Sequence, residues 1–219
     1  MREPWCQRVV VWFLASLSFA CLIGQFYDFW SMRLFACWIL IPASVALAMI
    51  AWRARSQSPS PRSAYVWIVH GTIAGVVAAI AYDLFRLPFV LSGYPLFAVF
   101  PRFGQLLTGA SATDFGPLVQ ITGWLYHFSN AAALGIMFLA MVSGWRRLTL
   151  IGGAMMWAAA VEIFLLLTPY YVYFKLKLPY SEFLALTISA HLVFGVVLGL
   201  WCWYVIGRKG QAAGVAVTR

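Results

Sequence analysis

The sequence predicts an all-α integral membrane protein of six transmembrane helices, and three observations carry that expectation. Of 219 residues, 63% are hydrophobic and only 10% charged, where a soluble domain carries roughly a quarter charged. The apolar residues fall in runs close to the ~20 residues a bilayer crossing needs, too long for strands of a soluble core, and mean hydropathy is +0.86. With 15 Lys and Arg against 6 Asp and Glu, there are too few ionised side chains to wet a globular surface. A water-soluble fold is excluded.

Six segments meet the length requirement: 9–27, 34–52, 64–85, 117–144, 148–168 and 183–206. The first resembles a signal peptide, with Arg2 and Arg8 ahead of an apolar stretch reaching the small-x-small site Ser18-Phe19-Ala20. The run continues through Cys21-Leu22-Ile23-Gly24, so it is expected to stay as a helix. With the second segment it forms a two-helix hairpin, residues 1–52. Residues 53–63, polar and broken by Pro59 and Pro61, read as a cytoplasmic linker to a four-helix core at 64–207.

The third segment closes on Tyr82-Asp83-Leu84-Phe85-Arg86. Asp83 and Arg86 are three apart and can pair on one helix face. They read as an ion pair anchoring the helix end, with an anion or headgroup contact by Arg86 as the alternative. The outer connection, 86–117, is rich in Leu, Phe and Val and is interrupted by Pro88, Pro95 and Pro101. It is too apolar for a solvated loop. Residues 95–109 are expected to form a short helix in the outer interface or a re-entrant turn, either capping the bundle or covering a cavity as a lid.

The fourth and sixth segments look related. His127 precedes Gly135 by eight residues, and His191 precedes Gly199 by eight, the pattern of a weak parallel repeat. Aromatic runs at 27–30 and 170–174 fit the belts found at bilayer boundaries. Residues 208–219 are expected to form a cytoplasmic tail. If the N-terminus lies inside, ten Lys and Arg fall on the inner side and five on the outer, which places both termini in the cytoplasm. The location implied is a plasma membrane, the inner membrane in a bacterium. The net charge of +9 and pI near 9.7 follow from these topology signals, without the clustered basic face that nucleic-acid binding needs. Cys6, Cys21, Cys37 and Cys202 form no CxxC, and a Cys21–Cys37 disulfide is not expected.

All three histidines, His70, His127 and His191, fall inside expected spans. Ionisable groups at membrane depth are costly, so they face the protein interior. Their neighbours agree: Asn130, Ala131 and Gly135 continue the His127 face, Thr187 and Gly195 the His191 face, and Ala154, Ala158 and Glu162 form a stripe on the fifth segment. By helical rise, His127, His191 and Glu162 lie roughly 14, 12 and 9 Å below the outer surface and can share a site. His70 sits about 8–10 Å deeper.

Three chemistries fit. His127, His191, Glu162 and His70 are candidate ligands for Fe, Cu or Zn, the imidazoles giving lone pairs and the carboxylate balancing charge. His127 and His191 could instead be axial ligands of a b-type haem, the adjacent glycines leaving room for the porphyrin and Asn130 orienting an imidazole. A His and Glu chain could also carry protons. The competing structural reading has each histidine bonding a neighbouring helix for packing alone. HxxxH, HExxH, GxSxG, P-loop and dinucleotide motifs are absent from the sequence. The expectation is therefore a small membrane oxidoreductase or redox subunit. The alternatives are a proton-coupled transporter and an accessory subunit of a larger membrane complex. The bilayer and other membrane subunits are the expected partners, with no nucleic acid.

Overall fold

The computed structural model describes residues 4–56 and 62–217, without the side chains of Pro4, Arg147 and 207–217. Residues 57–61 of the expected linker, 218–219 of the expected tail and the side chains of the rest of that tail lie outside that description. Every regular element among the described residues is helical.

Helix α1 spans Pro4–Phe26 and α2 Met32–Ala54. Within α2, Ala36–Leu40 widens to a π turn just ahead of Pro42. Helix α3 spans Val66–Leu91 and opens with a π turn at Val66–His70. Then come α4, Val99–Thr108, ended by Gly109 at φ 74°, and α5, Pro117–Val142, entered through a proline. That proline lacks only an N–H that has no partner in the first turn. Helix α6 is Leu150–Leu166, α7 Tyr170–Tyr173 and α8 Tyr180–Val217.

Among the described residues, five helices are long and apolar enough to cross a membrane, consistent with a helical membrane protein. The expected fifth span, 148–168, is shorter: α6 has 17 residues. The third is longer. Pro88 does not end α3: it stands inside the helix, which closes beyond it at Leu91. Arg86, expected on the outer connection, is therefore inside a helix. The short helix expected within 95–109 forms as α4. Trp38 is 78% exposed and Leu91 80%, large apolar groups suited to lipid.

Two helix pairs make the core, α3 with α5 and α6 with α8, and α3 also packs on α8. Small residues set the approach. A Cβ on Gly75 would lie 2.0 Å from the Ala131 carbonyl oxygen, and one on Gly135 2.2 Å from that of Gly71. In the second pair a Cβ on Gly199 would lie 2.6 Å from Ile151 Cα. Without a hydrophobic drive between helices in lipid, such backbone contact is what gives association its dispersion energy. Helix α1 closes one side against α5, where the Tyr126 hydroxyl donates to the Ser18 carbonyl at 2.8 Å. Helix α4 packs on α5 above the core. All four cysteines are free thiols.

Candidate functional site

Each core pair carries one carboxylate and one histidine in contact. In α3 and α5, Asp83 Oδ2 lies 2.9 Å from His127 Nε2. In α6 and α8, Glu162 Oε2 lies 3.1 Å from His191 Nδ1, which is also 2.9 Å from the Thr187 carbonyl oxygen. With carboxylate Asp83 and Glu162, a nitrogen facing only acceptors carries the proton. His127 is then protonated on Nε2 and His191 on Nδ1.

The pairs repeat one register. Asp83 follows Gly75 by eight residues and Glu162 follows Ala154 by eight; His127 precedes Gly135 by eight and His191 precedes Gly199 by eight. Gly75 packs on Gly135, and Ala154 packs on Gly199. Carboxylate, histidine and helix crossing thus recur together, and the parallel repeat suggested by two landmarks becomes four positions meeting in space.

A cavity of about 100 Å³ lies between the pairs. Matching positions from both line it: Ala79 and Ala158, Tyr82 and Val161, Arg86 and Leu165, His127 and His191, Asn130 and Phe194. The Tyr82 ring separates the imidazoles, its centroid 6.1 Å from that of His127 and 5.0 Å from that of His191. Helix α4 supplies the outer wall through Val99, Phe100 and Phe103, with Phe100 4.4 Å from the His127 ring. A smaller space of about 30 Å³ adjoins it, bordered by Arg86, Glu162 and His191.

Arg86 is 4% exposed. Its guanidinium lies 4.8 Å from the Tyr82 ring centroid, 5.2 Å from Phe97 and 5.7 Å from Phe100. Nη2 donates to the Leu96 carbonyl, Nη1 stands 3.6 Å from Asp83 Oδ1, and Nε has no hydrogen-bond partner. Around it, Asp83 Oδ1, Asn130 Oδ1, Trp157 Nε1 and both Glu162 oxygens also lack one. Unpaired polar atoms are costly when buried. At the outer edge, burial pushes the Tyr170 phenol above its ordinary value and keeps it protonated.

Of the residues expected at one site, His127, His191 and Asn130 line the cavity, and Glu162 reaches it through His191. His70 is not brought there; it is 13 residues below Asp83 on α3, about 20 Å along the axis. The glycines expected to make room for a porphyrin, Gly135 and Gly199, are filled by neighbouring helix backbone. Among the described residues, no three His, Cys, Asp or Glu side chains form a group that could hold a metal ion. Asp83 and Arg86, read as an interfacial anchor, are buried. With α3 running to Leu91, Asp83 lies about 12 Å from its C-terminal end, level with His127.

Compared with known proteins, the chain matches no family model, no curated protein and no solved structure.

Proposed function

We propose that this chain is a proton-coupled transporter of the plasma membrane, six spans with both termini cytoplasmic, α6 being the short fifth span. The observation that carries the reading is the cavity on the seam of two like helix pairs, each bringing a buried imidazole onto a carboxylate. Parallel repeats related by an axis along the membrane normal are a transporter architecture, and their sites lie at the repeat interface near the midplane. Imidazole is the side chain that changes charge near neutral pH. A carboxylate in contact balances the imidazolium while the pair holds its proton, so only the proton-free state carries net charge in low dielectric. Helix α4 and its aromatic residues close the outer mouth, the place of a lid.

The test is proton entry into liposomes holding the purified protein and a trapped pH-sensitive dye, with K⁺ and valinomycin clamping the potential. After an acid pulse outside, proton slip through the empty carrier acidifies the lumen faster with the wild type than in protein-free liposomes. Asp83→Asn and Glu162→Gln each remove most of the excess. Equal rates with wild type and without protein overturn the reading.

A further inference from the structure

The two helix pairs match in register but not in chemistry. At the cavity, the first pair contributes Tyr82, Arg86 and Asn130; the matching positions of the second are Val161, Leu165 and Phe194. One wall is polar and cationic, and the facing wall is apolar. We infer that the cavity binds a small amphiphilic monoanion, a carboxylate-type head at Arg86 and an apolar body against Val161, Leu165 and Phe194. This deepens the transporter reading and rests on it.

Three observations support that occupant. Arg86 is almost wholly buried and lines both cavities, and its Nε–H has no hydrogen-bond partner. Asp83, its nearest acid, stands at 3.6 Å and is held by His127 through the other oxygen, so the guanidinium retains donor capacity for a second acid. Trp157 lines the same cavity and its indole N–H is also unpartnered, a second donor for an acceptor-only head. The volume of about 100 Å³ suits a body the size of one aromatic ring.

Charge decides when such an anion binds. The titratable groups around Arg86 are Tyr82 and Asp83 on α3, His127 on α5, Glu162 on α6, Tyr170 on α7 and His191 on α8. Helix α4 presents only apolar side chains there. With both imidazoles neutral, Asp83 and Glu162 outnumber Arg86 and repel an anion. With both protonated, each acid is balanced by its own imidazole and Arg86 is the unmatched charge. Anion affinity therefore rises when the imidazoles take up protons, and the bound anion travels with those protons.

Benzoate, benzamide and benzylamine are the probes: one ring, with a negative, neutral or positive head. Binding to wild-type protein in nanodiscs is followed by tryptophan fluorescence and calorimetry. Benzoate is expected to bind about tenfold or more tighter than benzamide, and about tenfold or more tighter near pH 6 than near pH 8. Arg86→Lys keeps part of the affinity and Arg86→Gln abolishes it; should Arg86→Gln fail to fold, the wild-type probe series decides alone. Phe194→Gln weakens benzoate while sparing its pH dependence. Benzamide or benzylamine binding as tightly as benzoate, or no binding by any probe, overturns the inference. If proton entry into liposomes survives that result, the ligand class fails and the transporter reading stands; if both fail, both are lost.

Discussion

Replacing Gly75 with alanine tests whether the helix crossing sets the site. The added Cβ would lie 2.0 Å from the Ala131 carbonyl oxygen and 2.7 Å from its carbon, where ordinary contact begins at 3.4 Å. The obstacle is backbone, so no rotamer relieves it; α3 and α5 must part by more than 1 Å locally. Overpacking of this kind costs about 1–3 kcal/mol, offset by the ~0.5–1 kcal/mol that alanine gains over glycine in a helix. The net loss is about 1–2 kcal/mol. Parting the helices by as much near Asp83 would carry its 2.9 Å contact with His127 beyond hydrogen-bond range. Gly152→Ala is the control, since a Cβ there meets nothing within 4 Å. Unfolding in detergent gives the stability of each variant, and a double-mutant cycle of Asp83→Asn and His127→Gln gives their coupling. That coupling should be measurable in the parent and vanish with Gly75→Ala. If Gly75→Ala is as harmless as Gly152→Ala and leaves the coupling intact, the register does not hold the site.

Three further predictions follow from the same geometry. His191→Leu leaves Glu162, 1% exposed, without its imidazole and should cost about 3–5 kcal/mol in unfolding measurements, with the double change to Leu at both positions recovering much of it. Gly104→Val should lift α4 from α5, because a Cβ there would lie 1.8 Å from the Val119 carbonyl oxygen; amide exchange over Val99–Thr108 should quicken while α6 and α8 stay protected. Single cysteines at 53–63 should escape an impermeant thiol reagent applied outside sealed cells, and labelling there contradicts the cytoplasmic termini.

Much of the architecture is legible because lipid leaves few solutions: composition and run length bring out every long helix, and small-residue stripes mark the packed faces. The stripe Ala154, Ala158 and Glu162 is buried as expected. What was hidden lay at helix ends and in pairings between helices. Pro88 suggests a stop, yet the helix runs through it to Leu91, and the six extra residues of α3 move Asp83 and Arg86 from the surface to the depth of His127. Glycine beside histidine is ambiguous for a physical reason: it makes room either for a cofactor or for another backbone. Here Gly135 and Gly199 admit backbone. The matched spacing of eight residues was visible, but only contact between Asp83 and His127 and between Glu162 and His191 gives it chemical meaning.

In the transporter reading these two contacts exchange protons. Infrared difference spectroscopy of the protein in nanodiscs, stepped between about pH 8 and pH 5, measures that exchange most directly. The account predicts imidazole and carboxyl bands that change together, with Asp83→Asn and Glu162→Gln each removing one carboxyl component and shifting the imidazole partner. Bands that stay constant across that range in the wild type would contradict it and leave both pairs as static packing contacts.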